Sequence, residues 1–445
     1  MTLAPYSRAA LLAGALALLP ATTAGLAAVD ARSGPQFNKL IAVYQLIKAN
    51  YVETVDDNKL LKGAIDGMLA SLDPHSSYLD GASLQRLETM IDGRYSGLGL
   101  SVMMDDGAVK IVSPMRGSPA EKAGLKAGDF ITHLDGKLHY GGDIDEAVSK
   151  MRGEAGTSIR LTIFRPGRSE PFDVTVVRGV IDLKPVTAKY ENGIGVISVN
   201  EFSRNVGNEV NREIQAMRTQ NGARLTGLVL DLRSNPGGSL DEAVALSDLF
   251  LTTGTIVSQR GRVASENEYY RAESMIRGDG ARGLPMVVLI DAGSASASEI
   301  VAGALQDNRR AVIMGERSFG KGSVQQMISL DRTSAIKITT ARYYTPLGKS
   351  VQEGGIEPDI KVPQLSDPDA RRRAERSTRE SDLRGHLINE ISLDEKQMET
   401  DKQDDPRFKV TSAELLAKGI KDFQLHYAIE TLRRTAPATQ VARRP

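Results

Sequence analysis

Apolar residues recur at helical spacing near the start of the chain, where Phe37, Leu40, Ile41, Tyr44 and Ile47 fall on one helix face. This predicts helical structure over residues 36–91. A second helix is expected over Asn58–Leu72, stopping at Asp73-Pro74, and a third after Ser83. Asp73-Pro-His-Ser-Ser77 reads as a helix stop with a capping serine, His75 included. From residue 92 the pattern shortens. Tyr95–Val102 reads as a glycine turn entering a strand, Ala108–Val112 as a strand, and Gly117–Asp129 as a short helix between turns. Strands at Phe130–Asp135, Ser158–Phe164 and Phe172–Val177, with a helix at Asp145–Arg152, complete a small α+β or barrel-like module.

Between residues 181 and 363, buried-strand patterns alternate with helical ones. Strands are expected at Ile194–Val199, Gly227–Asp231, Met286–Asp291 and Ala311–Met314, and helices at Gly207–Thr219, Leu240–Leu251 and Ala297–Gln306. That alternation predicts an α/β domain with a largely parallel sheet. Beyond Pro363 the pattern turns polar, and residues 364–445 carry 16 Lys+Arg and 15 Asp+Glu, including Arg371-Arg-Arg373. Mixed charge of this kind predicts solvated helix or linker. Leu415–Leu432 keeps an apolar spacing that predicts one amphipathic docking helix, and the last ten residues read as disordered. At the other end, Arg8, the apolar run Ala9–Leu19, and small residues through Ala28 make a secretory signal peptide. Its 11 apolar residues fall short of the roughly 20 that span a bilayer.

The chain has 445 residues and a formal net charge of zero, from 56 Lys+Arg and 56 Asp+Glu. That length suggests about three domains, and the charge balance argues against a nucleic-acid partner. There is no Cys, which excludes thiol nucleophiles, disulfides and zinc–thiolate sites. The five His are His75, His133, His139, His386 and His426, so the α/β stretch has none of its own.

Two glycine- and serine-rich turns follow buried strands: Asp231-Leu-Arg-Ser-Asn-Pro-Gly-Gly-Ser239 and Asp291-Ala-Gly-Ser-Ala-Ser-Ala-Ser-Glu299. Both put backbone N–H groups at a helix start, where negative charge is favoured. Ser296 and Glu299 fit a capping box, the structural reading of that serine. A catalytic reading needs a base: a Ser-His-Asp triad would have to borrow His75, His133 or His139 from upstream, and the best-placed lysine is Lys321, in Gly315-Glu-Arg-Ser-Phe-Gly-Lys-Gly-Ser323, whose structural reading is a surface-turn lysine. A lysine is a base only when neutral, which desolvation favours. The flanking glycines would let its backbone pass close to the serine turn. The same loop satisfies G-x-x-x-x-G-K, the phosphate-binding signature, but Gly322 stands where a hydroxyl belongs, and Ser323–Leu330 alternates as a strand, not a helix. The Gly97-Leu-Gly-Leu100 turn could capture a terminal carboxylate if its amides converge.

Taken in order, these motifs resemble the C-terminal processing, or tail-specific, proteases, exported serine peptidases with a PDZ domain. The resemblance covers roughly residues 37–363. It is carried by Ser71-Leu-Asp-Pro-His-Ser-Ser-Tyr-Leu79, Gly97–Leu100 with Gly124–Asp129, the two serine-rich turns with Phe319-Gly-Lys-Gly322, and Thr340–Pro346 with Gly355–Asp359. It implies a Ser296–Lys321 dyad with Gln325 orienting the lysine. It places an oxyanion hole on the N–H groups of Ala297 and of Gly237 or Gly238, and substrate binding at Gly97, Leu98, Gly99 and Leu100. No metal, nucleotide or other cofactor is implied. The expected fold is multi-domain α/β: signal peptide 1–27, N-terminal helical region 28–91, PDZ domain 92–180, α/β serine-protease core 181–363 with a mostly parallel sheet, and a charged, partly helical tail 364–445. The expected partners are proteins or peptides with a free C-terminus. An adaptor protein and homo-oligomer formation through the helical ends stay open, and nucleic acid is not expected. The expected location is periplasmic, with inner-membrane association as a variant. The competing reading is a non-catalytic periplasmic PDZ scaffold that binds peptides.

Overall fold

The computed structural model describes residues 34–105, 107–115, 117–141, 144–220, 225–273, 283–367, 378–390 and 408–435. The signal segment, Arg371-Arg-Arg373 and the last ten residues lie outside these. The chain forms two compact units, one joining the residues up to Gly81 with Gln325–Thr339, the other joining Ala82–Val324 with the residues from Thr340 on.

In the first unit, α1 (Gly34–Asn50) and α2 (Asp57–Ala70) lie where the apolar spacing puts them. The Asp56 carboxylate caps α2 by accepting from the N–H groups of Asn58 and Lys59. α1 buries none of its residues, and Phe37, Leu40 and Ile41 are exposed. α2 ends on Ser71, whose hydroxyl donates to Met68 O, and the turn after it is held by Asp73. Its buried carboxylate accepts from the N–H groups of His75 and Ser76 and from the Ser76 hydroxyl. A short strand, β1 (Ser77–Leu79), follows and pairs antiparallel with Ala335–Lys337. Three residues give no periodic signal, and their partner is far off in sequence: Thr339 N–H donates to Ser76 Oγ across 263 positions.

The second unit opens with α3 (Gly81–Asp92) and a small antiparallel module. This comprises β2 (Arg94–Gly97), β3 (Leu100–Asp105), β4 (Ala108–Pro114), α4 (Pro119–Lys122), β5 (Phe130–Leu134), β6 (Lys137–Leu138), α5 (Ile144–Met151), β7 (Ser158–Phe164), β8 (Phe172–Val177) and β9 (Gly179–Asp182). Its main sheet runs β3-β4-β5-β7-β8, so β3 is an edge strand, while β2 pairs with β9. In β7 every second residue (Ile159, Leu161, Ile163) is buried, the period of a half-buried strand. These meet Val109, Ile111, Ile131, Ala120 and Met151 in one core.

The α/β core contains β10 (Val186–Glu191), β11 (Ile194–Val199), α6 (Val206–Gln220), β12 (Gly227–Asp231), α7 (Leu240–Phe250), β13 (Thr255–Gly261), β14 (Glu268–Arg271), β15 (Met286–Ile290), α8 (Ala297–Asp307), β16 (Val312–Gly315) and β19 (Ile360–Lys361), while β17 (Ser323–Ser329) and β18 (Ala335–Tyr344) run through the stretch Gln325–Thr339 of the first unit. The sheet order is β10-β11-β12-β15-β16-β19, parallel throughout except at β10–β11. Strands buried on both faces read as unbroken apolar runs, and all of β15 is buried. One face packs Leu228, Leu230, Val288 and Ile313 with residues of α6, α7 and α8.

The other face is covered by the tail. Val196, Val229, Val287 and Leu289 pack with Leu415, Phe423, Ala428, Ile429 and Leu432. The expected docking surface is there, but the single helix is two: α9 (Ser412–Ala417) and α10 (Phe423–Thr435). Gly419, at φ +74°, ends α9 in the left-handed conformation that glycine reaches without strain. Ile420 N–H closes that end on Leu415 O, and Asp422 then accepts from Leu425 N–H to start α10.

Candidate active site

Asp231 and Asp291 stand at and just past the carboxyl ends of the adjacent strands β12 and β15, the edge where parallel sheets place ligands. Their turns are stitched together. Asp291 accepts from the N–H groups of Ser234 and Gly293 and from the Ser234 hydroxyl. Asn235 is fully buried; its carbonyl accepts from Ala295 N–H and the Ser298 hydroxyl, while its amide donates to Val199 O. The turn after β12 is thereby fixed against the start of α8.

Ser296 sits at that start, 9% exposed, with φ +55° and ψ −111°. A non-glycine residue held there stores strain of about 1–3 kcal/mol, a cost tolerated mainly where the surroundings impose it. Its hydroxyl makes no capping hydrogen bond. In the expected capping box, Glu299 reaches back to accept from Ser296 N–H. Gly237 packs directly on the serine, since a Cβ there would lie 2.8 Å from Ala295 O and 2.9 Å from Ser296 Cβ. The Gly237 N–H donates to Asn235 Oδ1. Among the described residues, the N–H groups of Gly238 and Ala297 have no acceptor.

Glu299 is fully buried and organises the site. Its Oε1 accepts from the Ser318 hydroxyl and Gly320 N–H, and its Oε2 from the N–H groups of both Ser296 and Lys321. One carboxylate oxygen therefore holds the backbones of Ser296 and Lys321 side by side. Burial pushes this carboxyl up to about 7, against the pull of its four donors. The half-buried Lys321 lies between Gly320 and Gly322. Those glycines approach Glu353 and Gln352, not the serine turn: a Cβ on Gly320 would lie 2.7 Å from Glu353 O, and one on Gly322 2.4 Å from Gln352 N. The residues after them form strand β17, as the alternation predicts.

Gln325 belongs to the first unit, where its Nε2 donates to Thr339 Oγ1. Gly97–Leu100 links β2 to the edge strand β3. Leu98 O accepts from Ala120 N–H and Gly99 O from Met115 N–H, while the amides of Leu98 and Gly99 meet no acceptor among the described residues. Gly99 is at φ +74°, and a Cβ there would lie 2.4 Å from Ser118 Cβ.

The carboxy-terminal-processing protease of Bartonella bacilliformis is 46% identical over 346 residues, covering 78% of this chain and 79% of that one. The chain belongs to the carboxy-terminal-processing proteases. It is thus a serine-type peptidase: a peptidase family S41 model matches residues 193–362, a PDZ domain model residues 110–165, and a model of the activating protease CtpB N-terminal domain residues 21–83. The carboxy-terminal processing protease CtpA of Bacillus subtilis is 37% identical over 329 residues, covering 74% of this chain and 69% of that one. Among solved structures, a photosystem II D1 C-terminal processing protease is 28% identical, with a TM-score of 0.45, over 79% of this chain and 93% of that one.

Sequence reasoning missed Asn235, Gln352 and Glu353. Asn235 lies inside a recognised turn but carries no local signature of its contacts. Gln352 and Glu353 stand in a loop whose importance lies wholly in long-range hydrogen bonds.

Proposed function

We propose that this carboxy-terminal-processing protease cleaves with a Ser296–Lys321 dyad. The observation that carries the reading is Glu299 Oε2 accepting from the N–H groups of both residues. Lys321, in its neutral form, takes the proton from Ser296 Oγ as that oxygen attacks a peptide carbonyl. The N–H groups of Ala297 and Gly238 receive the oxyanion. Gly237, whose N–H already serves Asn235, shapes the turn beside the serine. Lys321 returns the proton to the leaving amine, then draws one from the water that releases the acyl group.

The PDZ domain feeds substrate to this site. A polypeptide end adds as a strand to the open edge of β3, with its carboxylate on the amides of the Gly97–Leu100 turn. Substrates are thus proteins with a free C-terminus, recognised by backbone and carboxylate, which no net charge on the enzyme opposes. The signal segment sends the protein across the inner membrane to work in the periplasm. The test is to incubate the purified protein with an unstructured polypeptide and read product masses. Cleavage by wild type and none by folded Ser296→Ala is expected; equal cleavage by both rejects the dyad.

A further inference from the structure

The tail segment 378–390 lies beyond the residues matched by the peptidase family model, which end at 362. It nevertheless makes a dense set of bonds around the loop that carries Lys321. Arg379 donates from its guanidinium to Ser318 O, and Glu380 N–H donates to Phe319 O. These contacts are direct; two relays add to them.

The first runs through Gln352, which is fully buried. Its Oε1 accepts from Gly322 N–H at 3.1 Å. Its Nε2 donates to Glu380 Oε1 and to Leu387 O, both at 2.9 Å. Glu380 is itself fully buried. The second runs through Glu353, held at φ +61°. Its N–H donates to Gly320 O at 2.8 Å. Its carboxylate accepts from Asn389 N–H and pairs with His386 Nε2, each at 2.7 Å. Asn389 also donates from its side chain to Gln352 O.

Both neighbours of Lys321 are therefore gripped by Gln352 and Glu353, and both of those are gripped by residues 378–390. Glu299 holds the same loop from the opposite side, at Gly320 and Lys321 N–H. A loop with glycines on both sides of its functional residue has little stiffness of its own. Its geometry must come from outside.

We propose that residues 378–390 are a positioning strap that sets where Lys321 stands, acting through Gln352 and Glu353. The strap touches no substrate, and Glu380 is its central positioning residue. This rests on the reading of Lys321 as the base. Loss of the strap's grip lowers the rate of chemistry and leaves substrate capture by the PDZ domain intact.

The test uses the full chain, comparing Glu380→Ala, Glu380→Gln and Lys321→Ala with wild type on an unstructured polypeptide. Each is measured for kcat, KM and melting temperature. Glu380→Ala should lose on the order of 10²-fold in kcat, the scale of a small misplacement of a catalytic group, with KM near wild type. Glu380→Gln keeps an oxygen that accepts from Gln352 Nε2 and should recover most of that loss. Wild-type kcat in Glu380→Ala, equal impairment of Glu380→Gln, or a loss carried by KM overturns the proposal. If Glu380→Ala does not fold, the double variant His386→Ala/Asn389→Ala loosens the second relay and is judged by the same kcat and KM criteria. Turnover by Lys321→Ala would instead reject the base assignment itself, which separates the two failures.

Discussion

Replacing Glu299 with glutamine tests whether the buried carboxylate organises the site as its contacts indicate. Its four partners (Ser318 hydroxyl and the N–H groups of Gly320, Ser296 and Lys321) are all donors. An amide offers an oxygen to two of them and turns its NH₂ against the other two. Each buried donor left without an acceptor costs about 1–3 kcal/mol, so the variant loses about 2–6 kcal/mol by this route. Proton linkage acts in the other direction. Burial moves this carboxyl from its ordinary 4.5 up to about 7. The folded state therefore holds the proton more tightly than the unfolded one. The resulting stability is fully present below pH 4.5 and is lost as pH rises through about 7. At about 1.4 kcal/mol per pH unit the whole effect is about 3 kcal/mol, most of which falls between pH 5 and pH 8. Glutamine has no such slope. Urea unfolding of both proteins near pH 5 and near pH 8, followed by circular dichroism, reads it. The stability gap between wild type and Glu299→Gln should narrow by about 2–3 kcal/mol toward pH 8. Turnover by the variant should fall on the order of 10²-fold at both pH values. A gap that stays constant or widens with pH, or a variant with full activity, refutes the reasoning.

Two other substitutions probe the substrate module and the tail. Gly99→Val places a Cβ where Ser118 Cβ stands 2.4 Å away, at φ +74°. It should raise KM for polypeptides with a free C-terminus and leave kcat at saturation near wild type, which steady-state kinetics measure. Asp422→Asn weakens the pairing of Arg233 with the tail, where Asp422 lies 2.8 Å from the guanidinium. Burial alone pushes the Asp422 carboxyl up, but hydrogen bonding and charge from Arg233 outweigh it and hold it at about 2, below its ordinary 3.8. Its stabilisation is therefore present above pH 3.8 and lost as pH falls through about 2. Allowing for partial exposure, the substitution should cost about 1–2 kcal/mol at neutral pH by urea unfolding, and nothing near pH 2.

The parts of the fold legible in the sequence were those with a local cause. Apolar runs at β12 and β15 announce strands buried on both faces, and the serine- and glycine-rich turns after them mark helix starts with spare amides. The lack of His and Cys across residues 141–385 singles out lysine as the base type within that stretch. Features with distant causes stayed hidden. Strand β1 exists because of a partner more than two hundred residues on. The break between α9 and α10 depends on Gly419 adopting a left-handed conformation, which residue identity permits but does not require. Gly237 and Gly238 are equivalent in sequence, and only the Asn235 side chain, which takes the Gly237 N–H, tells them apart. The glycines around Lys321 make room for Gln352 and Glu353, residues that no short motif contains, and not for the serine turn.

The measurement closest to the central claim is the turnover of an unstructured polypeptide by wild type, Ser296→Ala and Lys321→Ala, read as product masses over time. The account predicts cleavage by wild type alone, with both variants folded and silent. Undiminished cleavage by either variant would contradict it.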